Sequence, residues 1–116
     1  MKEENIRVFV LEPNGGGAEE RTIPNTLEAL QELVDGKIEV VQVDDKTALI
    51  VDEEGKLKNK PDCMFVFRSR WFDRLVGTVV AVGTDGEEFC SLDDEQITAI
   101  STQYLLGGVM VGGKTV

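Results

Sequence analysis

Histidine is absent from this chain of 116 residues. Because the histidine side chain changes charge near neutral pH, it is a frequent general base, the usual partner of a nucleophilic serine and the commonest metal ligand. Its absence excludes the usual catalytic triads and histidine-ligated metal centres. The sequence therefore predicts a protein that is not an enzyme and that uses no cofactor.

Cysteine is scarce, and long hydrophobic runs are missing. Cys63 and Cys90 lie in separate segments, without the spacing typical of a zinc site or a disulfide scaffold. No stretch approaches the roughly 18 apolar residues of a membrane span, and segment 1–7 is charged rather than apolar. We therefore expect a cytoplasmic protein with free thiols, no metal site and no membrane partner.

Basic residues are in the minority, since 12 of them stand against 22 acidic residues and the net charge is −10 at pH 7. Like-charge repulsion keeps such a chain soluble and works against binding DNA or acidic membranes. The prediction is therefore no direct nucleic-acid binding. The length suits one hydrophobic core, and we expect a single domain over 1–106 with a tail, 107–116, that is a strand or disordered.

The clearest predicted element is a helix that begins after Asn25 and ends at Gly36. Its apolar stripe consists of Leu27, Leu30, Leu33 and Val34. Asn25 stands three residues ahead of Glu28 as a predicted N-cap, and Gly36 provides a C-terminal stop. This apolar stripe is expected to pack against a β-sheet.

Strands are predicted where β-branched and apolar residues cluster between turn residues. These segments are 6–11, 18–23, 37–43, 47–51, 64–67, 75–82 and 87–90. A second helix is predicted to begin at a Ser91 cap and to end near Leu105 or Leu106. Together the elements predict an α+β fold, in which a small, mainly antiparallel sheet packs with two helices.

Acidic pairs and a glycine run are the first candidates for chemistry. The pairs are Asp44/Asp45, Glu87/Glu88 and Asp93/Asp94. Each lies at a turn or in a first helical turn, where acidic residues are favoured for structural reasons. The run Gly15–Gly17 lacks the Gly-Lys-Ser/Thr ending of a phosphate-binding loop, so it predicts a mobile hairpin loop.

Segment 56–74 stands out because it holds six basic and two acidic residues, a net charge of +4, whereas the remainder carries −14. Within it, three guanidinium groups lie beside the single tryptophan, a combination suited to anion binding or to a protein contact. The candidate binding residues are Arg68, Arg70, Trp71, Phe72 and Arg74. A purely structural role, with Trp71 and Phe72 in the core or in a dimer contact, is the alternative.

Four segments resemble the DUF3846 family in their order along the chain. They are 10–13, 25–39, 50–57 and 89–96, and the similarity extends over about residues 6 to 100. The most specific part is the capped helix, followed by a glycine and the start of an Ile-Glu strand. The resemblance implies a small accessory protein of bacteria, phages or other mobile elements, and it carries over no functional residue.

These observations favour a non-catalytic accessory binding protein. Its expected ligand is a partner protein or a small anionic molecule, and a homodimer is one expected assembly. The alternative is an acidic DNA mimic, which would occupy a nucleic-acid enzyme in the manner of anti-restriction proteins.

Overall fold

The structure is a computed structural model that describes residues 3–67 and 72–110. Within these ranges the helices are α1 (Leu27–Val34) and α2 (Asp94–Leu105). The strands are β1 (Asn5–Leu11), β2 (Ala18–Pro24), β3 (Ile38–Asp44), β4 (Thr47–Asp52), β5 (Asp62–Phe67), β6 (Phe72–Val76), β7 (Val79–Asp85), β8 (Glu88–Cys90) and β9 (Gly108–Met110). The predicted α+β fold with a mainly antiparallel sheet and two helices is confirmed.

The strands divide over two sheets. In the large sheet the order is β2-β1-β7-β4-β3, with β8 also paired to β7, and all neighbours are antiparallel. In the small sheet the order is β6-β5-β9, where β6 is antiparallel and β9 parallel to β5. The sequence predicted one sheet. The structure has a second, smaller sheet that was not predicted.

The large sheet forms the middle layer, and β4 and β7 at its centre are buried on both faces. Alternate residues of a strand point to opposite faces. One face, including Ile50 and Val80, packs against Leu30 and Val34 of α1. The other face packs against α2 and the small sheet through Leu49, Val79, Met64, Val66 and Ile100.

The predicted single strand over 75–82 is wrong, because the chain breaks at Gly77. That residue has φ +73, a conformation that favours glycine, and its amide donates to the Pro61 carbonyl at 2.7 Å. Val76 therefore ends β6 in the small sheet, and Val79 begins β7 in the large sheet.

The predicted first helix is confirmed, but both of its ends differ from the expectation. The N-cap is Thr26, whose hydroxyl accepts from the Ala29 amide at 3.1 Å. The side-chain amide of Asn25 instead donates to the Glu3 and Phe89 carbonyls and joins two segments. At the other end, the left-handed residue is Asp35, with φ 58, rather than Gly36.

The second helix is capped by Asp93 rather than by Ser91. Asp93 and Gln96 form a capping box, in which each side chain accepts from the other residue's backbone amide. The Ser91 hydroxyl accepts from the Arg7 amide and donates to Glu3, so it joins β1 to the segment before α2.

Asp93→Ala is expected to lower the free energy of unfolding by about 1 kcal/mol, because the Gln96 amide in the first turn loses its side-chain acceptor. Asp94→Ala is the matched control in the same turn, and its exposed carboxylate pairs with the Arg7 guanidinium, so its cost should be at most about 0.5 kcal/mol. Urea denaturation of both variants measures the difference. Equal costs would contradict the capping role of Asp93.

The glycine-rich loop between β1 and β2 is held at both of its sides. The Glu12 amide donates to the Gly17 carbonyl at 2.9 Å, and the Tyr104 hydroxyl of α2 donates to the Glu12 carbonyl at 2.6 Å. The predicted hairpin is confirmed, and α2 contacts its loop.

Beyond α2, residues 108–110 form β9, and residues 111–116 of the predicted tail lie outside the described residues. No helix in the described ranges has the length and hydrophobicity to cross a bilayer.

Candidate functional site

The outer side of the small sheet carries aromatic side chains from its central strand. Along β5, Met64 and Val66 point into the core and are buried, whereas Phe65 and Phe67 point outward. The run Met-Phe-Val-Phe is apolar at every position, so one of its faces is necessarily left with apolar groups outside the core.

Strand β6 completes this surface. Phe72 lies opposite Phe67, and the ring centroids of Phe65, Phe67 and Phe72 are 5.6 to 6.2 Å apart. Such distances are typical of attractive edge and offset contacts. The three residues are 36%, 39% and 61% exposed, respectively. We call Phe65, Phe67 and Phe72 the aromatic face.

A glycine of β9 makes room for the aromatic face. Gly108 lies opposite Phe65, and a Cβ at this position would overlap the Phe67 ring. The ring can therefore lie against the backbone of the neighbouring strand. Any larger residue at position 108 would displace it.

Of the candidate binding residues, the structure places two. Phe72 belongs to the aromatic face and, being exposed, is not a core residue. Arg74 lies opposite Phe65, and its guanidinium is 3.0 Å from the Asp62 carboxylate. Arg68, Arg70 and Trp71 lie outside the described residues.

The positive charge of segment 56–74 is largely compensated in space. Lys56 pairs with Asp73 at 2.5 Å, while Lys58 and Lys60 both lie 2.8 Å from one oxygen of Asp52. All four cations that the structure describes in this segment therefore have a carboxylate partner, Arg74 included. Among the described residues of this segment, the separation of charge along the chain therefore does not produce an open cationic surface.

Asp52 is the centre of a buried ionic cluster. Its side chain is 1% exposed and also accepts the Glu54 amide at 2.9 Å. Burial alone raises the pKa of this carboxyl, but hydrogen bonds from Lys58, Lys60 and Glu54 outweigh burial and lower it to about 2. Lys60 also donates to the Val34 carbonyl at 2.7 Å. The cluster thus supplies donors to the carbonyls of Val34 and Asp35 at the end of α1.

The two cysteines lack the features of reactive thiols. Burial raises the pKa of Cys63 to about 12, and burial likewise raises the pKa of Cys90. Within residues 3–67 and 72–110, no three Cys, Asp or Glu side chains form a group that could hold a metal ion. Neither thiol is therefore a candidate nucleophile.

Sequence reasoning named Phe72 but missed Phe65 and Phe67. The signal was present, because an all-apolar strand next to an Arg-rich segment has more apolar faces than a small domain can cover. This signal could be interpreted only from the structure, in which β5 lies in a separate, outer sheet.

No curated protein matches this chain, and no solved structure matches it. A family model described as "Domain of unknown function (DUF3846)" matches residues 6–105, which is most of the chain. The resemblance noted in the sequence is thus confirmed, and the chain belongs to the DUF3846 family.

Proposed function

We propose that this protein is a non-catalytic binding module, and that it engages a partner protein through the aromatic face. The observation that carries the proposal is the contact of three exposed phenylalanines on the outer side of the small sheet. Given the size of aromatic side chains, together they expose about 300 Å². A contiguous apolar patch of this size on a small domain is often functional.

The chemistry of the site favours a partner protein over a small anionic ligand. Arg74 and Lys56 are already paired with carboxylates of this chain, so an anion would have to displace Asp62 or Asp73. Apolar area, in contrast, is available without displacing anything. Exposed aromatic rings that already contact one another lose little conformational freedom on binding, as is typical of interface hot spots.

The exposed area of the aromatic face is too small to form a stable interface alone. A stable complex buries about 800 Å² on each partner, so the aromatic face can form only the centre of the contact. The remaining candidate binding residues, Arg68, Arg70 and Trp71, which lie between Phe67 and Phe72 in the sequence, are proposed to contribute to the rest.

The test compares the host proteins captured by three immobilised forms of the full-length protein. Phe65→Ala/Phe72→Ala is expected to lower the amount of a specific partner by tenfold or more, because two anchors are removed. Leu57→Ala is the control, since it removes an apolar side chain that is still more exposed, at 82%, from the turn between β4 and β5. Quantitative mass spectrometry measures the capture.

Equal capture by the double variant and the wild type would contradict the proposal, provided that both have the same circular dichroism and melting temperature. A partner lost with Leu57→Ala but kept by the double variant would place the contact elsewhere.

The biological setting stays a prediction: an accessory protein in the cytoplasm of bacteria, encoded by the host, a phage or another mobile element. The DNA-mimic alternative has less support, because Glu20, Asp52 and Asp62 are ion-paired within the chain and offer less charge to a DNA-binding enzyme. Asp44 and Asp93, two further acidic candidates, bind backbone amides of their own turns.

A further inference from the structure

Strand β3 forms one edge of the large sheet, and no described strand lies beyond it. It is seven residues long and rich in valine, and Val40 is exposed. Natural edge strands are usually protected by lysine, proline or strong charge within the strand. The opposite edge, β2, follows this rule with an exposed Glu19–Arg21 ion pair and with Pro24 at its end. Strand β3 contains no lysine or proline, and its protecting features, Lys37 before it, Glu39, Asp44 and the irregularity between Gln42 and Asp44, leave the stretch 40–42 uncharged.

The ladder between β3 and β4 shows which main-chain groups face outward. The Glu53 amide donates to the Lys37 carbonyl at 2.7 Å, and this pair continues the register of β3 with β4. Hydrogen-bonded pairs alternate in an antiparallel ladder, so Glu39 and Val41 also bond to β4. The amides and carbonyls of Ile38, Val40 and Gln42 consequently point away from the sheet. They form a row that an added strand could pair with.

Two clefts flank the same side of β3, toward α2 and the small sheet. The first, of about 250 Å³, lies between β3 and α2 and is lined by Val43, Ala99 and Ile100 among others. The second, of about 160 Å³, lies between β3 and β6, with Glu39 and Leu75 in its lining. Residues 39 and 43 lie four positions apart, about 13 Å, and point to the same face. An added strand would present its own side chains to both clefts with the same spacing.

The charge around this edge is mainly negative, with the exposed Lys37 and Lys46 at its two ends. Asp44 and Glu95 border the first cleft, and Glu39 and Glu53 border the second. The basic residues at the second cleft, Lys56 and Arg74, are ion-paired with Asp73 and Asp62. A basic extended segment therefore complements this edge, whereas an acidic one would be repelled.

We propose that β3 accepts an extended, basic segment of a partner protein as an additional strand of the large sheet. Main-chain pairing to Ile38, Val40 and Gln42 supplies the contact, and apolar side chains of the segment enter the two clefts. This surface is separate from the aromatic face, since it lies on the other sheet, so the two proposals can fail independently.

The experiment uses the full-length protein and a synthetic seven-residue peptide that alternates lysine and valine, with blocked ends. Amide hydrogen exchange is followed residue by residue with NMR. Saturation with the peptide is expected to slow exchange at Ile38, Val40 and Gln42 by about tenfold or more, while Glu39 and Val41 change little because β4 already protects them.

Two peptide controls leave the protein untouched. Methylation of alternate peptide nitrogens removes the main-chain donors and should abolish binding, and replacement of every lysine by glutamate should weaken binding at least tenfold. The variant Val40→Pro removes one outward donor without breaking a bond to β4, and it should lower the affinity for the lysine peptide.

Binding that survives nitrogen methylation, or protection that appears away from β3, would overturn the proposal. Equal binding of the glutamate peptide would overturn the assignment of a basic segment. If the protein alone sediments as a dimer in which the same three amides are protected, the edge belongs to a second copy and the proposal is wrong.

Discussion

Asp52→Asn is expected to lower the free energy of unfolding by about 3 kcal/mol at pH 7, because the buried carboxylate is the shared partner of Lys58 and Lys60. Asparagine keeps the shape but removes the charge, which leaves two ammonium groups beside the end of α1 without their shared buried counter-ion and only the exposed Asp35 carboxylate 3.8 Å from Lys60. Lys58 is partly exposed and can turn to solvent, so we expect the lower end of the usual range for a broken buried pair. Chemical denaturation measures the change.

The same carboxylate predicts a pH dependence. Its pKa is lowered from 3.8 to about 2 in the folded protein, so the folded state favours the ionised form. The resulting stabilisation of about 2 kcal/mol is fully present above pH 4–5 and is lost as the pH falls toward 2. The difference between the wild type and Asp52→Asn should therefore narrow over this window.

Asp62→Asn is the matched control, since it removes a carboxylate from an exposed pair with Arg74. It should cost less than about 1 kcal/mol. If Asp52→Asn costs no more than this control, or if the difference from the wild type stays constant between pH 6 and pH 2, the ionic cluster does not stabilise the fold as described.

Much of the fold was predictable because local patterns and the core agree. The apolar spacing of Leu30 and Val34 required a covering sheet, and the alternating strands provided one. The second sheet was not predictable, since β5 pairs with β9 more than 40 residues later, and no local pattern specifies such a contact. The break at Gly77 was hidden because buried apolar residues continue on both of its sides, although Val76 lies in the small sheet and Val79 in the large sheet.

The candidate site was only partly predictable for a related reason. Charge along the chain does not specify charge in space, and Lys58 and Lys60 reach Asp52 across the turn that follows β4. The segment that is cationic in sequence therefore in part forms an internal ionic cluster around Asp52. The apolar residues Phe65 and Phe67, for which the sequence predicted only a strand, form the aromatic face together with Phe72.

Gly36→Ala provides the second large effect, and it tests why glycine occupies this position. The sequence suggested a helix stop that needs a left-handed conformation, but Asp35 has that conformation and Gly36 does not. A Cβ on Gly36 would instead overlap the Asp52 carboxylate. Because Asp52 is held by Lys58 and Lys60, it cannot move aside freely, and we expect a loss of about 2–3 kcal/mol from this overlap.

A double-mutant cycle separates the two explanations. In an Asp52→Ala background the overlap disappears, and Gly36→Ala should become neutral or stabilise by about 0.4–1 kcal/mol, because alanine restricts the unfolded chain. Gly86→Ala is the control for a true conformational requirement. Gly86 has φ +64 and no neighbour near its missing Cβ, so its cost of about 1 kcal/mol should be the same in both backgrounds. If Gly36→Ala costs the same in both backgrounds, as Gly86→Ala should, glycine is needed at position 36 for its backbone conformation. If Gly36→Ala destabilises the wild type but stabilises the Asp52→Ala variant, glycine is needed there to make room for Asp52.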